Sequence, residues 1–300
     1  MALARKRRIA DSTEDRVFYV LNAVILTLLL FVTLYPLYFV IIASVSDYRA
    51  VGTGQVLFWP KGFSLFAYQK VFQKQSVLIG YRNTIFYTIV GTAINLGLTL
   101  LTGYALSVKF PGRRIANFFI VFTMYFSGGI IPTYFVIRDL HLLNTIWVML
   151  LPGAISAYNL ILTRSFIQSS IPQELYEAAS IDGCTRIQYF LKIVLPLSGV
   201  LVSVMTLFYA VGHWNSYFNA MMYIDDVNLF PLQLVLREIL INNNISTDDM
   251  IDPEAIERAE MLRELLKYAL IVVSSVPLLI LYPFLQKYFV KGIMIGSIKG

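Results

Sequence analysis

The sequence predicts an all-α membrane protein with six transmembrane helices, and three observations carry that prediction. Hydrophobic residues make up 57% of the 300 positions and charged residues only 14%, a balance too apolar for a soluble domain. Six stretches contain no Asp, Glu, Lys or Arg, and each is long enough for a hydrocarbon core of about 30 Å, which takes about 20 helical residues to cross. The basic residues fall between those stretches and are biased toward alternate loops.

The first stretch is residues 17–46. Arg5, Lys6, Arg7 and Arg8 ahead of it resemble the basic start of a signal peptide, and Arg7-Arg8 a twin-arginine signal. The charge-free run that follows is too long for a cleaved segment, so it is expected to stay as the first membrane helix. The other spans are expected within residues 83–108, 115–137, 140–163, 193–224 and 268–286. Pro36, Pro132, Pro152, Pro196, Pro277 and Pro283 fall inside these runs. That would count against soluble helices, but in a membrane the neighbouring helices can satisfy the freed carbonyls.

With both termini on one side, 14 Lys and Arg share that side and ten lie opposite, the latter mainly in two longer loops. The bias places the termini in the cytoplasm. The division is then a cytoplasmic segment 1–16, one membrane domain 17–290 and a cytoplasmic tail 291–300. Within the membrane domain, residues 164–192 form a cytoplasmic loop and residues 225–266 a long external one. The external loop carries ten acidic residues between Asp225 and Glu264. It reads either as a solvated surface, partly helical from Pro253 to Leu266, or as a contact for a partner.

Several function classes are disfavoured. The formal charge of +6 is scattered between apolar runs, whereas a nucleic-acid reader gathers its cations on one face, so no nucleic acid is expected. Cys184 is the single cysteine, and His141 and His213 have no cysteine partners at zinc-site spacing, so neither disulfides nor a metal site is expected. No Gly-Lys pair occurs, so the chain lacks the usual phosphate loop for ATP. The span cores hold no ionisable carboxylate or base to run an ion-coupled secondary carrier. No Ser-His-Asp or metal constellation supports the other alternative, a polytopic membrane enzyme.

The most informative stretch runs from Ser170 to Gly183. Ser170 with Gln173 fits a capping box, Pro172 suits a first turn, Glu174 complements the helix dipole and Gly183 suits a left-handed stop. A short helix is expected, with Leu175, Ala178, Ala179 and Asp182 at three- and four-residue spacings. From helix chemistry alone it is either a docking helix with small residues at its contact face or an amphipathic helix lying on the membrane.

The residue string adds a resemblance. Glu177-Ala178-Ala179-Ser180-Ile181-Asp182-Gly183, continued through Phe190 to Ile193-Val194-Leu195-Pro196-Leu197, resembles the EAA loop of binding-protein-dependent ABC importer permeases. Tyr104 to Ser107, Phe110 to Gly112 and Lys291 to Gly300 look like the maltose-type carbohydrate-uptake branch. Phe126 to Tyr134 and Leu151 to Asn159 look like its LplC-like subgroup. The resemblance implies a type I ABC importer permease fold with a cytoplasmic EAA coupling helix, in a bacterial cytoplasmic membrane. It implies that Glu177, Ala178, Ala179, Asp182 and Gly183 couple the chain to two ATPase subunits, which would hold ATP and Mg. It further implies a second homologous permease sharing the path, an extracytoplasmic solute-binding protein and oligosaccharide substrates, uronate-containing ones among them. Cys184 stands where the pattern commonly has alanine; it is also small and apolar.

A sugar path calls for amides and for Tyr or Trp within otherwise apolar helices. Trp214, Asn215, Tyr217 and Asn219 form such a group, with Trp214 and Tyr217 three apart and the two amides four apart. Tyr125 beside Gly128 and Gly129, and Tyr158 with Asn159, are further candidates. Each residue also fits an aromatic belt or an amide bonding neighbouring helices. Asn95 is expected to be such interhelical glue.

Overall fold

A computed structural model describes residues 12–242 and 253–296, and within them the chain is helical with no strand. The helices are α1 (Thr13–Ser44), α2 (Tyr48–Gly52), α3 (Phe66–Gln73), α4 (Gln75–Ser107), α5 (Arg113–Tyr125), α6 (Ile130–Asp139), α7 (Trp147–Leu150) and α8 (Ala157–Ser170). They continue as α9 (Gln173–Ile181), α10 (Arg186–Tyr189), α11 (Leu195–Leu197), α12 (Gly199–Trp214), α13 (Phe218–Tyr223), α14 (Leu232–Asn242) and α15 (Pro253–Gly296). The cluster Arg5 to Arg8, the acidic stretch 243–252 and the last four residues of the expected tail lie outside the described residues.

The chain divides into two compact units. The first takes residues 1–71 and 246–272. There α1 starts at a capping box in which Ser12 Oγ accepts from Asp15 N and the Asp15 carboxylate accepts from Ser12 N. Residues 17–38 of α1 are exposed and almost wholly apolar, the character of a helix that is hydrophobic all round because hydrocarbon is its solvent. Its far end is tied down: Ser46 Oγ donates to Ile42 O at 2.6 Å, and the hydroxyls of Ser44 and Tyr68 meet at 2.7 Å. Asp47 caps α2 by accepting from Arg49 N.

The second unit, residues 72–245 and 273–300, is built on α4. Helices α8, α12 and α14 pack against it. The buried face of α4 is polar and small: Asn83, Thr84, Thr88, Thr92, Asn95 and Thr99 lie along it with Gly80, Gly91 and Gly103. Small residues let membrane helices approach closely, and the polar ones bond across the seam. A Cβ on Gly91 would collide with the His213 ring, and one on Gly103 with Thr163. Thr99 and Tyr209 share a hydrogen bond at 2.7 Å, and Asn95 Oδ1 meets His213 Nε2 at 3.4 Å, the interhelical role expected of Asn95.

Three expected spans are not continuous helices. Residues 115–137 split into α5 and α6, bent by 118°. The break at Phe126 to Gly129 follows from Gly129, whose φ of +86° only glycine adopts without strain, and from Pro132 in the first turn of α6. Residues 140–163 split at Pro152 and Gly153, the latter at φ +75°, so α8 starts at a Ser156 cap and runs on past Arg164 to Ser170. Residues 193–224 belong to a chain path bent by 82° between Leu197 and Gly199. Pro196 cannot donate there, a π-turn (Phe190–Val194) precedes it, and the Ser198-Gly199 pair sits at the kink. Among the described residues α1 and α4 are single helices long and apolar enough to cross a membrane, or four spans if each bent pair counts as one. Residues 268–286 lie within α15, which runs unbroken through Pro277 and Pro283. The loop 225–266 is largely structured, with a 3-10 turn (Val227–Leu229), α14 and the start of α15.

Candidate functional site

Helix α9 stands between two tight punctuations. Its N-cap is Pro172, not the expected Ser170, because α8 runs on to Ser170 and uses that residue as its own last turn. Gln173 accordingly does not bond back to a cap; its Nε2 donates forward to Glu177 Oε1 at 3.1 Å. The C-terminus is as the sequence predicts. Gly183 takes φ +76°, its N–H donates to Ser180 O at 3.1 Å and the Cys184 N–H donates to Ala179 O at 2.9 Å. That pair of bonds is a Schellman motif, which satisfies the last carbonyls and turns the chain sharply. Cys184 packs on the same apolar cluster as Ala179, the contact that commonly accompanies this motif.

The turn leads directly into α10. Thr185 Oγ1 accepts from Gln188 N at 3.3 Å and Gln188 Oε1 accepts from Thr185 N at 3.0 Å, a capping box that the sequence reading did not identify. Tyr189 and Phe190 then turn inward and are buried. Tyr189 meets Tyr176 of α9 edge to face with centroids 5.2 Å apart, and Phe190 lies 5.1 Å from Tyr104 near the end of α4. The Tyr104 hydroxyl donates to Arg186 O at 3.3 Å. These four rings fasten α9 to α4 and, through the cluster with Leu201, Met205 and Tyr209, to α12.

The faces of α9 differ from the expected one. Ala179 is 8% exposed and points into the aromatic cluster, so it does not share an outer face with Ala178. Glu177, Ala178, Asp182 and Gly183 are exposed. Among them stands Ile181, 87% exposed, an isoleucine with almost its whole side chain bare. A rigid helix with carboxylates around an alanine and an uncovered isoleucine is suited to enter a cleft of another protein: the apolar knob supplies burial and the rim supplies orientation. The sequence reading did not single out Ile181.

The substrate-path candidates are scattered. Trp214 ends α12 and Tyr217 caps the separate α13, so the helical spacing between them does not hold. Trp214 is 3% exposed, and its indole N–H donates to Ser274 O at 3.0 Å. Asn215 Nδ2 turns back to Val211 O at 2.9 Å. Asn219 is half-buried on α13 and Tyr217 is exposed. Tyr125, at the break between α5 and α6, is 85% exposed. Tyr158 is exposed on α8, whereas its neighbour Asn159 is buried. No group of three or more His, Cys, Asp or Glu suited to a metal occurs among the described residues.

A second polar cluster, unnoticed in the sequence, anchors the segment after α13. Asn83 Nδ2 donates to Asn228 O at 2.7 Å and to Phe230 O at 3.0 Å, and the Tyr87 hydroxyl donates to Leu229 O at 2.9 Å. Leu232 N donates to Thr84 Oγ1 at 2.7 Å. Asn144 Oδ1 accepts from the N–H groups of Asp225 and Asp226. Residues 225–232 are therefore held by α4 rather than left as a free loop.

Comparison with known proteins places these features in context. A family model described as the binding-protein-dependent transport system inner membrane component matches residues 2–295. The chain is 40% identical over 291 residues to protein LplC of Bacillus subtilis (strain 168), covering 97% of each. It is 39% identical over 288 residues to the polygalacturonan/rhamnogalacturonan transport system permease protein YtcP of the same organism, covering 96% of this chain and 100% of that protein. A chain in the crystal structure of a bacterial ABC transporter involved in the import of the acidic polysaccharide alginate aligns with a TM-score of 0.86 and 34% identity, over 94% of this chain and 100% of that one.

Proposed function

The chain belongs to the family of binding-protein-dependent transport system inner membrane components, and from that premise we propose how its parts divide the work of import. It is a permease subunit of an oligosaccharide ABC importer, a transport subunit and not an enzyme, working with a partner permease, an ATPase and a binding protein.

In the proposed assignment α9 is the EAA coupling helix. Glu177, Ala178, Asp182 and Gly183, with Ile181 among them, enter one of two ATPase subunits, and those subunits carry ATP and Mg. Ala179 faces the other way and holds the helix to its own chain. The observation that carries this reading is the rigid, doubly punctuated helix with a bare isoleucine on its outer face and an aromatic clamp on its inner one. A clamp of that kind converts closure of the ATPase into movement of α4 and α12 as one body, because packed rings resist gradual deformation.

The proposed topology has six crossings with both termini in the cytoplasm: α1, α4, the bent pair α5 and α6, α8, the bent path through α10 to α12, and α15. It rests on the distribution of Lys and Arg. The proposed substrates are uronate-containing oligosaccharides. Support comes from the acidic polysaccharides in the names of YtcP and of the alginate importer, and from span cores that carry no carboxylate to repel an acidic sugar. Of the path candidates, the exposed rings of Tyr125, Tyr158 and Tyr217 are available to stack on sugars, whereas Trp214 and Asn159 shape the wall behind.

The test is sugar-stimulated ATP hydrolysis by the co-expressed four-component importer in vesicles, with uronate-containing and neutral oligosaccharides compared. Stimulation by the acidic sugars that disappears on Glu177→Ala combined with Gly183→Pro supports the reading. Stimulation by neutral sugars alone overturns the substrate class, and indifference to the two substitutions overturns the coupling role of α9.

A further inference from the structure

Beside α9 the second unit contains a cavity of about 710 Å³. Three cations line it: Lys109 and Arg113 from the turn between α4 and α5, and Arg186 from the first turn of α10. No Asp or Glu lines it, and the carboxylates of α9, Glu174 and Glu177, are on the exposed face. The ion pairs among the described residues are Arg138 with Asp139 and Arg258 with Glu254, so none of the three lining cations has an ion-pair partner among the described residues. Gln168 and Ser169 stand on the same wall, where Gln168 Nε2 donates to Ser107 O at 3.1 Å and Ser169 Oγ to Phe166 O at 3.2 Å.

Three like charges gathered around one hollow repel each other, and such an arrangement is stable when an anion joins it. α4 is long and apolar enough to cross a membrane and ends at Ser107, just before Lys109, so the cations around this hollow stand at the depth of lipid headgroups. Gln173 lines the cavity and donates to Glu177 Oε1 at 3.1 Å, so the exposed face of α9 borders its rim.

We propose that this cavity binds the phosphate headgroup of an anionic phospholipid of the cytoplasmic leaflet, with Lys109, Arg113 and Arg186 as its ligands. The lipid would sit behind the coupling helix, against Tyr104, Tyr176 and Tyr189, and so brace the joint through which α9 moves α4. The leaflet assignment rests on the proposed orientation; the binding itself does not.

The experiment is native mass spectrometry of the intact importer complex taken from membranes that contain phosphatidylglycerol and phosphatidylethanolamine. Wild type is compared with the pair Lys109→Gln and Arg186→Gln, and with the charge-conserving pair Lys109→Arg and Arg186→Lys. Phosphatidylglycerol should stay bound to wild type and to the charge-conserving pair. It should fall by about fivefold for each cation removed, with phosphatidylethanolamine unchanged. If the Gln pair does not assemble, Arg113→Gln alone carries the same comparison. Equal phosphatidylglycerol retention in every variant overturns the site. So does loss of the ATPase from the Gln pair with lipid unchanged, which would give the cations to the ATPase. A parallel arm adds inorganic phosphate to lipid-depleted complex: heat protection that needs the three cations, without phosphatidylglycerol retention, overturns the lipid in favour of a soluble phosphate compound. Retention is read without transport, so its failure is distinct from failure of the coupling role of α9.

Discussion

The rings of Tyr176 and Tyr189 meet edge to face, 5.2 Å between centroids and at 80°, across the sharp turn that ends α9. One ring belongs to the helix proposed to dock on the ATPase and the other to the path that leads into α12, so on that proposal their contact is the joint between docking and transport. Replacing Tyr189 by Ala should cost about 3 kcal/mol of stability through the cavity it leaves. It should also separate ATP hydrolysis from sugar uptake, and Tyr189→Phe should preserve the coupling. The ratio of sugar transported to ATP hydrolysed in vesicles reads this directly.

Ile181 is bare in the isolated chain and is expected to be covered in the complex. Burying an isoleucine contributes about 1.5–3 kcal/mol, so Ile181→Ala should weaken ATPase binding by roughly tenfold or more, and Ile181→Asp by more again. The thermal stability of the permease alone should not change. Titration of the detergent-purified permease pair with its ATPase measures both effects.

Gly183 occupies the left-handed region at φ +76° with open space around its Cα. Any cost of a side chain there is therefore conformational and not steric. Gly183→Ala should cost about 1–2 kcal/mol, Gly183→Asn less and Gly183→Val more. The order of ATPase co-purification across the three variants checks it.

Trp214 is buried, and its indole donates to Ser274 O. Trp214→Phe keeps most of the volume but removes the indole hydrogen bond, at a cost of about 1 kcal/mol. The melting temperature of the complex should fall while the sugar concentration for half-maximal uptake stays as in wild type. A shift in that concentration would return Trp214 to the sugar path.

Asn83 holds two backbone carbonyls, of Asn228 and Phe230. Asn83→Ala should loosen residues 225–232 and raise their rate of amide hydrogen exchange, whereas Asn83→Asp, which accepts but does not donate, should be as disruptive. Hydrogen exchange measured by mass spectrometry over this peptide provides the check.

The parts legible in the sequence were those written in local chemistry. A glycine after a short amphipathic run announced the stop of α9, and the glycine does take the left-handed conformation there. Asn95 announced itself as an amide in an apolar helix, and it does meet His213. The cap of α9 was not legible, because Ser170 and Pro172 are both acceptable starts and the choice depended on how far α8 extends. The breaks in the third, fourth and fifth apolar runs were only half legible. Each contains a proline, but a helix passes through some prolines, as α15 does through Pro277 and Pro283; the third and fourth runs break where Gly129 and Gly153 add a positive φ, and the fifth at the Ser198-Gly199 pair after Pro196.

By itself the sequence determined the membrane class, the family and the position of the short helix α9. These depend on charge-free length and on a contiguous residue string, both properties of the chain read in one dimension. Only the tertiary structure decided which residue of the Ala178-Ala179 pair faces inward, that Trp214 is held inside and that Ile181 is left bare. It alone gathered Lys109 and Arg113, from the turn between α4 and α5, and the distant Arg186 around one hollow. The physical reason is that lipid and protein interior are equally apolar, so the hydrophobic pattern that marks the buried face of a soluble helix carries no such instruction here. Facing is set by small and polar residues meeting across a seam, and that depends on a neighbour the sequence does not name.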